Sequence, residues 1–171
     1  MNKQKLIGTN VESLIDMLAN KDGMIREKAR KSLVALGSPA VSSLIQALQT
    51  SELDQVRWEA TKALGVIGDT TSIPTLVKAL EDSDGDVTWL AAEALEKFKK
   101  AAWPALLRAL IKSKPDSVLL RQGSHHVLQN QKEEGFIDLL AALQNALESS
   151  TAQESTPFAA TEILKRMKEK A

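Results

Sequence analysis

The sequence predicts an all-α protein built as a stack of helix pairs, and three observations carry that expectation. A step of 31 residues runs through the chain. It separates Ile25, Val56, Val87 and Val118, then Ala29, Ala60 and Ala91, then Leu33, Leu64 and Leu95. A second apolar ladder interleaves with the first and repeats the i, i+3, i+4, i+7 spacing of one helical face. The composition is aliphatic: 43% of residues are hydrophobic and only 4% aromatic, which suits close-packed helices better than sheets. Self-similarity at this period marks a repeat whose single unit leaves its apolar face bare until a neighbour stacks on it.

The elements follow in order from the second ladder. Val11, Leu14, Ile15 and Leu18 form its first stripe, and Val41, Leu44, Ile45 and Leu48 its second. Ile73, Leu76, Val77 and Leu80 repeat it, then Trp103, Leu106, Leu107 and Leu110, then Phe136, Leu139, Leu140 and Leu143. A helix on the valine and alanine ladder follows each stripe, so the unit is helix, turn, helix, turn. This gives ten helices, at 9–20, 23–36, 39–50, 54–67, 71–82, 86–99, 101–113, 116–130, 133–148 and 156–169. They form one domain over 1–171, with repeats at 9–37, 38–68, 69–99, 100–131 and 132–171.

The punctuation agrees with this phase. Gly37 and Gly68 follow second helices, where glycine takes the left-handed cap. Pro39, Pro74, Pro104 and Pro157 fall in or near first turns, where a missing N–H costs little. The turn Asp82-Ser83-Asp84-Gly85-Asp86 supplies N-cap oxygens. Ala60, Ala63, Ala91, Ala92 and Ala94 put small side chains where helices must approach closely. In the fourth unit the register slips by one, laying Gly123-Ser124-His125-His126-Val127 over Ala91-Ala92-Glu93-Ala94-Leu95. The polar segment 149–155 lacks periodicity and is expected to be a mobile loop. Beyond it, Ala160-Thr161-Glu162-Ile163-Leu164 resembles Ala60-Thr61-Lys62-Ala63-Leu64, a terminal half-unit whose outer face is made polar by Lys165, Arg166, Lys168, Glu169 and Lys170.

Asp54-Gln55-Val56-Arg57-Trp58-Glu59-Ala60-Thr61-Lys62-Ala63-Leu64-Gly65-Val66-Ile67-Gly68-Asp69, completed by Ile73-Pro74-Thr75-Leu76-Val77-Lys78-Ala79-Leu80, resembles the HEAT-like repeat of the phycobilisome-lyase (PBS lyase) type. The resemblance is strong over 11–110 and weaker from 115 to 171. It implies a right-handed α-solenoid whose second helices line the concave face. It also implies a protein-binding scaffold, although fold does not fix function.

Under that implied geometry the second helices present a row. Glu27, Lys28 and Lys31 come from the first unit, Trp58, Glu59 and Lys62 from the second, and Trp89, Leu90, Glu93 and Lys97 from the third. Arg121, His125 and Gln129 come from the fourth. Trp58 and Trp89 are one period apart and off the core stripe, so their indoles are expected side by side as a binding centre. The bland alternative is that they lie flat and partly buried. Trp103 sits on the apolar ladder and reads as core.

The sequence carries no catalytic or metal-binding motif. His125 and His126 are the only histidines and point about 100° apart on a helix, so they do not share a metal. The repeated His-Glu pairs of HEAT-like di-iron hydroxylases are missing. His126 reads as packed between helices and His125 as on or near the concave face. Asp82, Asp84, Asp86 and Glu93 have calcium-loop spacing, but the position that needs glycine is Val87, a repeat core residue. There is no cysteine, no phosphate loop and no Gly-x-Ser-x-Gly motif. The 22 basic and 22 acidic side chains cancel, which gives no general attraction to nucleic acid or anionic membrane. No run is long and apolar enough for a signal peptide or a membrane span.

The expectation is a non-catalytic cytoplasmic scaffold, monomeric by default, with no cofactor. It binds a protein or extended peptide on the concave face. The alternatives are a bilin-lyase-like subunit holding an open-chain tetrapyrrole and a DNA-binding relative of HEAT-like alkylpurine glycosylases.

Overall fold

The computed structural model describes residues 3–112, 117–149 and 152–169. These form ten α-helices: α1 (Lys3–Met17), α2 (Gly23–Leu36), α3 (Ser38–Thr50), α4 (Asp54–Ile67), α5 (Ile73–Ala79), α6 (Gly85–Phe98), α7 (Trp103–Lys112), α8 (Val118–Leu128), α9 (Ile137–Glu148) and α10 (Ala152–Glu169). Short 3-10 turns at Thr70–Ser72 and Lys99–Ala101 lead into α5 and α7. There is no strand among the described residues. The fold is an all-α solenoid.

The apolar ladders become the core. Leu44 and Leu76 of the first helices, and Leu18 and Leu80 just past the ends of α1 and α5, are fully buried, as are Leu33, Leu64 and Leu95 of the second. Trp103 is buried too, edge-on to Phe136 with ring centroids 5.6 Å apart. First helices stack on first helices, α1 on α3, α3 on α5 and α5 on α7, while α2, α4, α6 and α8 form a second row. Packing is denser along the second row. Small residues permit that approach: a Cβ on Gly65 of α4 would meet the Ala94 Cβ of α6 at 2.8 Å.

The turns use the anticipated residues. Asp22 accepts from the Met24 N–H, and Asp84 from the N–H groups of Asp86 and Val87. Gly37 (φ 67°) and Gly68 (φ 70°) close α2 and α4. One period further on, the same place after α6 is held by Lys99, at φ 51°. An L-residue pays for that conformation in steric strain.

The C-terminal third departs from the expected pattern in three ways. First, Val118 is 47% exposed although it continues the buried valine ladder. The buried residues of α8 are Leu120, Ser124, Val127 and Leu128, which stand 33 residues after Val87, Ala91, Ala94 and Leu95. The slip is therefore two residues, not one. The first-helix ladder does not lengthen there, so the extra residues lie in the connection between α7 and α8. Second, the last pair exchanges layers. α10, not α9, packs on α7, and α9 lies beside α8. The Gln144 side chain donates to the Leu128 carbonyl (2.8 Å), and Glu148 meets His125 (2.9 Å), so α9 runs antiparallel to α8. Third, residues 152–155, expected in a loop, are the first turn of α10, which places Pro157 beyond that first turn. The rest of that expectation, at 150 and 151, lies outside the described residues, as does Lys170.

Candidate partner-binding surface

The repeat places the same two positions on the open side of each second helix. In α2 they are Glu27 and Lys31, in α4 Trp58 and Lys62, and in α6 Trp89 and Glu93. With the two-residue slip, the equivalent pair in α8 is Gln122 and His126. An i, i+4 spacing lets each pair touch along one helix. Lys31 Nζ is 2.8 Å from Glu27, and that hydrogen bond and charge hold the Glu27 carboxyl below its ordinary value. Lys62 Nζ lies 4.4 Å over the Trp58 ring. Across units, the Trp89 ring meets His126 at 4.4 Å between centroids, tilted by 52°.

Of the residues expected on this face, Glu27, Lys31 and Lys97 are exposed, and Lys62, Leu90 and Glu93 are half-buried. Trp89 is 55% exposed. Trp58 is half-buried against the core, closer to the flat packing weighed as its alternative. The two indoles take different partners, Lys62 and His126, instead of each other.

Three residues need correction. Glu59 is only 5% exposed, and its carboxylate accepts from Arg30 Nε at 2.6 Å and lies 3.6 Å from Arg26 Nε. It ties α4 to α2 and does not offer a free charge. Arg121 and His125 are displaced from the row by the slip. They line a cleft with Gln122 of the same helix and with Leu147 and Glu148 of α9. His126, placed between helices by sequence reasoning, does pack between α6 and α8, but it does so in the row position and against Trp89.

A groove of about 620 Å³ opens over α2, α4 and the start of α6. Its lining takes Arg26, Glu27 and Arg30 from α2 and Trp58, Glu59 and Lys62 from α4, and the N-terminal ends of α4 and α6 bring Asp54, Asp84 and Asp86 to it. Its walls are held by a device that sequence reasoning missed. Arg26 donates to the carbonyls of Asn20 (2.8 Å) and Lys21 (3.2 Å), six and five residues back. Arg57 does the same to Ser51 (3.1 Å) and Glu52 (3.2 Å). Arg57 also grips Asp82 through two bonds of 2.9 Å. The signal was present, because Arg26 and Arg57 are one period apart. The next residue in the series is Thr88, whose hydroxyl donates to Gly85.

The acidic turn is used internally: Asp82 binds Arg57, and Asp84 caps α6. No group of three or more His, Asp or Glu with metal-holding geometry occurs among the described residues. No helix among them is long and apolar enough to cross a membrane. The surface therefore offers shape, an aromatic lining and fixed charges.

The family model for HEAT repeats matches residues 41–129, just over half of the chain, from α3 through the end of α8. No curated protein matches the chain.

Proposed function

The chain belongs to the HEAT-repeat family, and on that premise we propose that it is a non-catalytic scaffold binding a protein or extended peptide along its second-helix face. HEAT repeats are commonly protein-interaction scaffolds. The observation that carries the reading is the aromatic row. Trp58 and Trp89 occupy one repeat position, Trp58 lining the groove and Trp89 exposed on the next second helix. Tryptophan is enriched among residues that dominate binding energy, and here two tryptophans share one repeat position on neighbouring helices. We assign the contact row to Glu27, Lys31, Trp58, Lys62, Trp89, Leu90, Glu93 and Lys97, with Gln122 and His126 in place of Arg121 and His125. The narrower assignment to the phycobilisome-lyase type of repeat rests on the segment 54–80.

Neither alternative gains an observation in its favour. A DNA backbone needs a basic groove, and the carboxylates of Asp54, Asp84 and Asp86 line this one. A tetrapyrrole reading has only the general likeness of the repeat behind it.

The test is affinity capture on the full chain, followed by binding of the captured partner to wild type, Trp58→Ala, Trp58→Phe and Trp89→Ala, with melting curves for each. Each alanine variant is expected to weaken binding by about 2 kcal/mol or more, roughly thirtyfold. Trp89→Ala should melt with wild type. Trp58→Phe separates the packing of Trp58 from its contact with the partner. Unchanged binding in both alanine variants rejects this face.

A further inference from the structure

The groove's ionisable side chains divide into committed and uncommitted ones. Every basic group lining it already has a partner. Arg26 is bound to two backbone carbonyls and faces Glu59, Arg30 is bonded to Glu59, and Lys62 sits on the Trp58 ring. Both guanidinium groups are largely covered, with side-chain exposures of 23% and 13%. The acidic residues differ. Asp54 and Asp86 are exposed, and Asp54 accepts only from the N–H of its neighbour Gln55 (2.7 Å). Asp84 caps two N–H groups of α6, which leaves its charge uncancelled by any side-chain cation. Arg57, whose charge reaches Asp54 and Asp84, is committed to Asp82 by two bonds. The N-termini of α4 and α6 contribute roughly half a positive charge each. They leave the part of the groove lined by Asp54, Asp84 and Asp86 negative, in the same groove as the Trp58 indole.

Resting on the scaffold reading above, we propose that this groove receives a basic segment of a partner protein. A lysine or arginine of that segment reaches Asp54, Asp84 and Asp86, and an adjacent apolar side chain covers Trp58. Charge complementarity selects such a partner, because an acidic segment would meet exposed carboxylates, while Arg26 and Arg30 share Glu59 and are largely covered. Lys62, which sits on the Trp58 ring, moves off the indole as the apolar group arrives.

The experiment is selection of random displayed peptides of about a dozen residues, the length of a typical groove-bound segment, on the full chain. The selected peptides are then bound to wild type, Asp54→Asn, Asp86→Asn, the double variant and Trp58→Ala, each checked by melting. Lysine and arginine should be enriched in the selected set. Affinity should fall about tenfold or more in the double variant, and equally when the peptide's own basic residues are changed to glutamine. Rising salt should weaken binding further. The glutamine peptides need no altered protein, so the test stands even if the double variant folds poorly. Selected peptides that are acidic or neutral, or that bind the Asn variants and wild type equally, overturn the basic partner. They leave the scaffold reading intact if Trp58→Ala still weakens them. Failure to select any peptide sensitive to Trp58→Ala or Trp89→Ala overturns both.

Discussion

Between α4 and α6 the sequence step and the structural step coincide, while between α6 and α8 they part. Val56, Ala60 and Leu64 and their partners Val87, Ala91 and Leu95 are all buried, 31 residues apart. Carried one step further, the same arithmetic lands on Val118, which is exposed. Two extra residues before α8 turn each position by about 200° on a helix of 3.6 residues per turn. A slip of one would put Arg121 and His125 in register with Trp89 and Glu93; the second extra residue puts Gln122 and His126 there instead. The exchange of α9 and α10 between layers follows in the same region. A repeat thus specifies position only while its connections keep their length.

The largest expected contrast between the two regions is in the core. Leu76 is fully buried with repeats on both sides, so Leu76→Ala should cost about 2–5 kcal/mol from transfer and cavity terms. Leu164, half-buried in α10 at the end of the stack, should cost clearly less on truncation. Denaturant melts of the two variants decide this, and equal losses would remove the distinction between a supported centre and a weaker end.

A smaller contrast compares two glycines. A Cβ on Gly65 would clash with the Ala94 Cβ, which belongs to an opposing helix and has no rotamer to move. Gly65→Ala should therefore cost about 1–3 kcal/mol from overpacking, offset in part by about 1 kcal/mol of helix propensity. A Cβ on Gly123 meets the Leu80 Cδ2 at the same 2.8 Å, but that methyl ends a flexible side chain. Gly123→Ala should cost less than Gly65→Ala, and adding Ala94→Gly should relieve only the latter. Chemical denaturation of the four variants reads both statements.

The smallest effect is a gain. Lys99 holds the place of Gly37 and Gly68 at positive φ, so Lys99→Gly should stabilise the protein by about 1 kcal/mol through relief of backbone strain. An unchanged or lowered melting temperature would show that the turn after α6 is not strained.

The fold was legible wherever one residue type had one job. Leu33, Leu64 and Leu95 repeat because each fills the same hole, and glycine recurs at 37 and 68 because positive φ favours it. The bounds of α2 and α4 were read to the residue. The layer exchange was not legible. Ala160-Thr161-Glu162-Ile163-Leu164 resembles a second helix, and an apolar stripe fits either row; which row it joins depends on the connection and on the Phe136–Trp103 contact. At the candidate site, Trp58 and Trp89 stood out as an aligned aromatic pair. The burial of Glu59 did not, because its partners Arg26 and Arg30 come from the helix before, and a single chain of letters does not show that pairing. Arg121 and His125 were read one residue out of register, because the sequence alignment counted a slip of one where the buried residues of α8 stand two residues on.

The most direct test of the account compares the row with its displaced neighbours. Binding of the captured partner would be measured by titration for Trp58→Ala, Trp89→Ala and Gln122→Ala on one side, and for Arg121→Ala on the other. The account predicts a loss of roughly thirtyfold for each tryptophan, a smaller loss for Gln122→Ala and no change for Arg121→Ala. A loss at Arg121 as large as that at Trp58, or no loss at either tryptophan, would contradict it.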